Sequence, residues 1–193
     1  MTAGEFPDDA TLEAWEFELS GQERIDAFGD HAATMPLGAS GRAELLTMQA
    51  EFLAQDGQLD EARTVFVEAL EDGGWTTLHP KVGLLVLALE DDDEAEAEAD
   101  TLLAEALTLY RDDQLDPDAC AEIGEALEKA GRLKQAHRWF TMPLRELDPD
   151  ELESGDFPLL DGRYRVRRAL GLPMDAFDEE TDALREELDD ELD

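Results

Sequence analysis

The chain has 193 residues, of which 42% are hydrophobic, enough for one folded domain or one short repeat array. Its 51 acidic residues against 15 basic ones give a formal charge of −36, which argues against a surface for nucleic-acid phosphates or for an anionic membrane. The single cysteine, Cys120, excludes an intramolecular disulfide and a Cys-rich zinc site.

The chain shows no secretory or membrane signal. Its first 15 residues have neither a basic nor an apolar region of the kind a secretory signal needs, and the longest apolar run, residues 82–89, is too short to span a bilayer. A cytoplasmic location is therefore expected. The acid surplus suits a cytosol of high salt, but a GC-rich genome gives the same bias, and charge alone does not separate the two.

Residues 1–39 are predicted to form two short helices. The first carries Leu12 and Trp15 on its apolar side. Ser20 and Glu23 have the spacing of a capping box, in which each side chain satisfies a backbone N–H at the start of a second helix. Whether the two helices are a degenerate repeat is left open by the sequence.

A 14-residue segment recurs in the middle of the chain. Residues 57–70, GQLDEARTVFVEAL, return as residues 131–144, GRLKQAHRWFTMPL, 74 residues later, or twice a period of 37. The intermediate period keeps the pattern, so alanines are evenly spaced, each with a large apolar residue four positions later. The pairs are Ala62 with Phe66, Ala99 with Leu103, and Ala136 with Phe140. Such a period is typical of a helical solenoid, in which each helix pair needs its neighbours to bury its apolar face.

Residues 40–150 are therefore predicted to hold three helix pairs. In the first pair, Ser40 is the expected cap and Gly57 the stop between the helices. The second pair begins after Pro80 with a helix that is apolar on nearly every side, as expected for the middle of a stack. Pro143 should end the last helix of the third pair early.

The C-terminal part divides into two segments. Residues 151–174 are predicted to form a loop and a helix, 159–170, that covers the open end of the stack. Residues 175–193 are a strongly acidic tail, for which both a helix and disorder remain open.

The order of small residues, Leu, Gly-x-Leu and Ala-x-x-x-Phe resembles the tetratricopeptide repeat (TPR). The matching positions are Ala50, Leu53, Ala62 and Phe66 in the first pair and Gly124, Leu127, Ala136 and Phe140 in the third. The period of 37 rather than 34 and the missing Trp and closing Pro depart from that family. The resemblance implies an all-α fold, a right-handed α-solenoid of antiparallel helix pairs with a C-terminal capping helix, and a role in binding other proteins.

Residues 160–177, LDGRYRVRRALGLPMDAF, are similar to the closing segment of small bacterial TPR proteins, some of which are associated with a SEC-C zinc motif. This chain has no cysteine cluster, so the resemblance carries no metal function to it. The acidic runs at 91–94 and 112–118 lack the ligand pattern of an EF-hand and are interpreted as solvated turns. No catalytic, metal or cofactor residue is predicted, and Cys120 is expected to be an apolar filler.

The TPR family binds its ligands in a concave groove lined by the first helix of each pair. That mapping places the following groove residues here: Glu44, Thr47, Glu51, Leu87, Glu90, Asp91, Asp118, Glu125 and Glu128. An acidic groove would focus its field on a basic protein or peptide. The alternative is a surface that is acidic everywhere, with no special role for the groove.

Basic charge is concentrated in one stretch near the C-terminus, at Arg163, Arg165, Arg167 and Arg168. Guanidinium groups suit bidentate anions, so the stretch could bind a phosphate or an acidic partner. The other interpretation is that these arginines pair with acids of the same chain, including the tail at 178–193.

The sequence as a whole predicts a non-catalytic module that binds a basic protein or peptide and contacts neither nucleic acid nor membrane. A second hypothesis is a structural subunit, such as a homodimer, that acts by self-association without a groove ligand. Trp15, Phe17 and Trp75, near predicted edges, would be its contacts.

Overall fold

A computed structural model of this protein describes residues 4–90, 96–149, 152 and 154–191. All regular structure within those ranges is helical, which confirms the all-α class. The α-helices described there are α1 (Asp9–Phe17), α2 (Gln22–Thr34), α3 (Arg42–Gln55), α4 (Leu59–Asp72), α5 (Pro80–Glu90), α6 (Glu96–Arg111), α7 (Pro117–Lys129), α8 (Leu133–Thr141), α9 (Phe157–Ala169) and α10 (Ala176–Glu191). Two short 3-10 helices, Pro143–Glu146 and Ser154–Asp156, lie between α8 and α9.

The chain folds as two compact units. The first unit comprises the residues up to Ala88 together with Glu98–Leu103. The second comprises Leu89–Ala97 and the residues from Ala104 onward. Helix α6 therefore contributes to both units.

In the first unit, α3 packs against both α2 and α4. One buried cluster joins Phe28 of α2 to Leu45 of α3 and Ala69 of α4. A second cluster joins Phe66 of α4 to Leu84 of α5. These side chains are apolar and almost completely buried, so their removal from water stabilises the packing of α2 to α5.

In the second unit, α7, α8 and α9 pack against one another, and α10 packs on α9. Phe140 of α8 is fully buried and lies against two glycines, Gly124 of α7 and Gly162 of α9. The ring of Trp139, on the same helix, meets Tyr110 of α6 edge to face at 6.3 Å between centroids. Helix α8 is therefore the centre of this unit's core.

Both copies of the recurring segment begin with a glycine that ends the preceding helix. Gly57 and Gly131 have φ angles of 79° and 71°, in the left-handed region that favours glycine. The N–H of the residue after each glycine donates to the carbonyl of Leu53 or Leu127, at 2.9 and 2.8 Å. This is the six-to-one bond of a Schellman motif, and the predicted helix stops are confirmed.

Two predicted N-caps are wrong. Helix α2 begins after Gly21 and α3 after Gly41, whose φ angles are 51° and 85°. Neither helix start has a side-chain cap, so Ser20 and Ser40 do not have the predicted role. In both cases the residue before the first helical residue is the glycine that follows the serine, so each helix begins one residue later than the serine cap predicts.

The other helix starts and stops follow local chemistry. Asp8 caps α1 by accepting a hydrogen bond from the N–H of Thr11 at 3.0 Å. Pro80 is the first residue of α5, as predicted. Helix α8 ends at Thr141, and the chain continues into the 3-10 helix Pro143–Glu146, because proline cannot donate the next helical hydrogen bond.

The acidic C-terminal segment is helical where the structure describes it. Helix α10 covers Ala176–Glu191 and packs on α9, so of the two alternatives left open by the sequence the structure has the helix. The acid-rich turn at 91–94 lies outside the described residues.

Candidate functional site

Two residues assigned to a partner-binding groove are part of the core instead. Thr47 is buried, and its hydroxyl donates a hydrogen bond to the carbonyl of Ala43, one turn earlier on α3, at 2.9 Å. Leu87 is buried in the cluster that contains Phe66. The assignment of Thr47 and Leu87 to an accessible surface was therefore wrong, because helix packing covers the face on which they lie.

Two groove glutamates are engaged within the protein. Glu44 accepts hydrogen bonds from the N–H and the hydroxyl of Thr77, both at 2.7 Å. Glu128 accepts two hydrogen bonds from Arg165, from Nη2 at 2.9 Å and from Nε at 3.3 Å. These carboxylates fix the α4–α5 loop and the packing of α9 on α7, so a partner would have to compete with existing contacts.

The rest of the groove set is only partly accessible. Glu90, Asp118 and Glu125 are exposed, and Glu51 is half-buried. Asp91 lies outside the described residues. The residues of the set that reach solvent within the described ranges are therefore all carboxylates.

The densest group of charges is a buried network that ties α9 to α10. Arg163 and Asp178 are only 4% and 2% exposed. Arg163 Nη1 donates to Asp178 Oδ1 at 3.1 Å, and Arg167 Nε donates to Asp178 Oδ2 at 2.9 Å. Asp175 accepts from both amino groups of Arg163, at 3.0 and 2.6 Å. Two arginines of the basic stretch therefore contact acids of the C-terminal segment.

Two residues of the network also cap the N-terminus of α10. Asp175 and Asp178, three residues apart, each accept a hydrogen bond from the other's backbone N–H, at 3.3 and 3.1 Å, in the manner of a capping box. Although burial works to raise it, the hydrogen bond and charge of Arg163 lower the pKa of Asp175. Asp175 was not predicted as a site residue, although the Asp-x-x-Asp spacing after Pro173 is a signal for a helix start that the sequence contains.

The other arginines of the stretch are nearer to solvent. Arg165 pairs with Asp161 and Glu128, and Arg168 is exposed. Arg185 of α10 donates to Asp161 at 2.5 Å and lies over the ring of Tyr164 at 4.2 Å. Three of the four arginines are thus occupied by the protein's own carboxylates.

His137 of α8 lies in the field of the buried network. Burial lowers the pKa of His137, and the charges of Arg163 and Arg167 lower it further, while Asp175 and Asp178 act in the opposite direction. Its Nε2 is buried and has no hydrogen-bond partner in the part of the chain that the structure describes. Burial and the two arginines therefore favour the uncharged form of the imidazole.

The first unit presents a different kind of surface. Three large apolar side chains of this unit are exposed, Phe6 at 41%, Leu37 at 76% and Trp75 at 77%, and the segment that carries each of them is held near the start of α3 or the end of α4. We call these three residues the apolar patch. Of these three residues only Trp75 was predicted as a contact, in an oligomer, because all three lie outside the helices, where no periodic pattern signals exposure.

Three features of the described residues bear on whether the protein has a metal site, a reactive thiol or a ligand pocket. Within the described ranges no group of three His, Cys, Asp or Glu side chains is placed to hold a metal ion. Cys120 is buried in the core, and burial, followed by the charge of Asp116, raises the pKa of its thiol to about 12. A shallow depression of about 370 Å³ at the start of α8 is lined by Gly131, Arg132, Leu133, Lys134, Gln135 and Leu170.

Comparison with protein-family models, with curated proteins and with solved structures found no match for this chain. None of the helices in the described ranges is both long enough and apolar enough to cross a membrane. A function for this chain can therefore be inferred only from its own residues and their placement.

Proposed function

We propose that this protein is a non-catalytic module that binds a basic protein or peptide. We also propose that its helix pairs follow a TPR-like, right-handed solenoid arrangement with α9 as the capping helix. The support for the solenoid is the repeated helix–glycine–helix unit at Gly57 and Gly131 and the TPR-like sequence around it.

The observation that carries the binding proposal is how the chain uses its few cations. Of 15 basic residues, seven arginines form ion pairs with carboxylates of the described structure. They are Arg42, Arg63, Arg132, Arg163, Arg165, Arg167 and Arg185. Nearly half of the basic residues are thus already paired with carboxylates, and over the whole chain acidic residues outnumber basic ones by 51 to 15. The remaining surface is strongly anionic and attracts a cationic partner.

Charge of this kind acts mainly on association rate and on the choice of partner. Like-signed surface charge raises the local concentration of a cationic ligand and repels an anionic one, and salt screens both effects. On α7, Asp118 and Glu125 are exposed carboxylates that could contribute directly. The exposed acidic residues of the predicted groove therefore remain candidate contacts, whereas the buried residues Thr47 and Leu87 do not.

The test is a titration calorimetry series with a lysine-rich 12-residue peptide and a glutamate-rich peptide of equal length. We expect binding of the cationic peptide alone, with an affinity that falls by about tenfold or more between 50 and 500 mM NaCl. Equal affinity for both peptides, or no binding of the cationic peptide at 50 mM NaCl, would refute the proposal.

The contribution of α7 can be separated from net charge. Reversal of Asp118 and Glu125 to lysine should weaken binding more than reversal of two other exposed acids, Glu13 of α1 and Glu18 at its C-cap. Both double variants change the net charge by the same amount, so each controls for the other. An equal loss in both would mean that only total charge matters.

Self-association remains the second candidate, since exposed aromatic side chains such as Trp75 and Phe17 favour it. Sedimentation velocity at low and high salt measures it directly. A homodimer would persist or strengthen as salt screens the repulsion between two chains of charge −36 each. A monomer at every salt concentration would exclude that candidate.

A further inference from the structure

The apolar patch consists of three side chains that come from three separate stretches of the first unit. Phe6 precedes α1, Leu37 lies between α2 and α3, and Trp75 lies between α4 and α5. Single exposed apolar residues are common, but three large ones gathered at one helix start typically mark a binding surface.

The backbone around Leu37 and Trp75 is fixed by hydrogen bonds. The N–H of Gly38 donates to Asp72 Oδ2 at 2.9 Å, which holds the α2–α3 loop to the end of α4. The N–H and hydroxyl of Thr77 both donate to Glu44, which holds the α4–α5 loop to α3. Each of the two exposed side chains therefore lies within two residues of a backbone N–H that is hydrogen-bonded to α3 or α4.

The segment that carries Phe6 is held in the same region. The Phe6 ring lies against Gly41, where a Cβ would overlap it, and a ring nitrogen of His31 hydrogen-bonds the carbonyl of Glu5 at 2.7 Å. A preformed surface of this kind loses little conformational entropy on binding.

Beneath the patch, positive charge is already neutralised. Arg42 is buried and pairs with Asp72 at 2.7 Å and with Glu68 at 2.5 Å. Although burial opposes it, the hydrogen bonds to Asp72 and Glu68 raise the pKa of Arg42, so the guanidinium is charged and both of its amino groups are paired with carboxylates.

Three acidic residues belong to the segments that carry the patch or hold it in place. Glu5 adjoins Phe6, Glu44 lies below the loop of Trp75, and Glu71 is exposed at the end of α4. An apolar surface with an acidic rim complements a basic segment that carries an apolar side chain. A second copy of this chain fits poorly, because it brings its own charge of −36.

We propose that the apolar patch binds the apolar anchor residue of a basic peptide segment. This inference rests on the proposed function and adds to it the surface and the chemistry of the ligand. The acidic rim attracts the segment, and the contact of its anchor side chain with Leu37 and Trp75 gives the affinity that salt does not screen.

The test compares two synthetic peptides of equal charge on the full chain by titration calorimetry. One is Lys-Lys-Phe-Lys-Lys-Leu-Lys-Lys, and the other has serine in place of Phe and Leu. The proteins are the wild type, the double variant Leu37→Ser with Trp75→Ser, and Phe17→Ser as a matched control. Phe17 is 80% exposed on α1, so its loss removes the same kind of apolar surface elsewhere. All three substituted side chains are exposed, and unchanged helical circular dichroism verifies that the variants fold.

We expect the wild type and Phe17→Ser to bind the Phe/Leu peptide about tenfold more tightly than the serine peptide. A tenfold difference corresponds to about 1.4 kcal/mol of binding free energy. The double variant should bind both peptides with the affinity of the serine peptide. At 500 mM NaCl the preference for the Phe/Leu peptide should remain while both affinities fall.

Three results would overturn the inference. If the wild type binds both peptides equally, the patch has no role, although the proposed function stands. If neither peptide binds, the proposed function fails and the inference fails with it. If the wild type is a dimer that the double variant dissociates, the occupant of the patch is a second copy of the chain.

Discussion

The ring of Phe140 lies directly on Gly162 of α9, where a Cβ would overlap the ring atoms. On its other side the same ring meets Gly124 of α7, where a Cβ would lie 2.7 Å away. Phe66, the equivalent residue of the first copy of the recurring segment, lies in the same way against Gly83 of α5. Each phenylalanine therefore packs against a glycine of the following helix. Because that glycine has no Cβ, the two helices can lie close together.

Replacement of Gly162 by alanine should destabilise the protein by about 1 to 3 kcal/mol, the usual cost of overpacking a filled core. Urea denaturation followed by circular dichroism measures the change. Gly155→Ala is the matched control, since nothing lies within 4 Å of a Cβ at that position, and it should be neutral. Phe140→Leu combined with Gly162→Ala should be more stable than the sum of the two single changes predicts. Strict additivity would contradict the contact.

Asp178→Asn should destabilise the protein by about 3 kcal/mol, because it removes the more buried of the two carboxylates that Arg163 and Arg167 share. Asp175, whose side chain is 38% exposed, would remain as a partner of both arginines. The same denaturation experiment applies, with loss of α10 protection in hydrogen exchange as a second measurement. Asp182→Asn is the control: its pair with Arg185 at 3.3 Å is partly exposed, and we expect a change within about 0.5 kcal/mol. A neutral Asp178→Asn would mean that α10 is held by its apolar contacts.

The thiol of Cys120 should be unreactive in the folded protein. Its pKa of about 12 leaves almost no thiolate at pH 8, and the surrounding core excludes reagents. Ellman's reagent at pH 8 should therefore react slowly with the native chain and within seconds in 6 M guanidinium chloride. Rapid reaction of the native protein would show that α7 opens on the timescale of the assay.

Glu122 should make the protein less stable at neutral pH than at mildly acidic pH. Burial, and then the charge of Glu125, raises the pKa of Glu122, so the folded state binds its proton more tightly than the unfolded state does. The stabilisation is present at low pH and is lost as pH rises through the folded pKa. Glu122→Gln should raise stability at pH 7 by up to about 1 kcal/mol, within the usual range for a single substitution.

Thermal unfolding at several pH values measures the effect of Glu122→Gln. The difference between the variant and the wild type should shrink as pH falls towards 4. Glu61→Gln, at an exposed position of α4, is a comparison for a general loss of negative charge. A gain that is the same at pH 4 and pH 7 would assign the effect to something other than titration of Glu122.

The helices and several of their ends could be predicted because they depend on neighbours in the chain. The stops at Gly57 and Gly131 and the start at Pro80 follow from backbone freedom or from a missing N–H, which are properties of the residue itself. The caps at Ser20 and Ser40 failed for a related reason: a glycine follows each serine, and it takes the turn into the helix.

The candidate site could not be predicted in the same way. Thr47 and Leu87 were placed on a binding face because repeat spacing gives a residue's position around its helix. Spacing does not reveal which neighbouring helix covers that face. Thr47 can be buried because its hydroxyl finds a carbonyl one turn away, so a polar residue at that position need not indicate solvent.

The sequence by itself determined the all-α class, the positions of most helices and the excess of negative charge, because periodicity, capping chemistry and net charge are local or additive properties. Only the tertiary structure decided that Arg163 and Arg167 are buried against Asp175 and Asp178, and that Phe6, Leu37 and Trp75 remain exposed near one helix start. Both depend on which distant segments meet. The free energy of a charge or an apolar side chain is set by the groups packed around it, and these are brought together only by the fold.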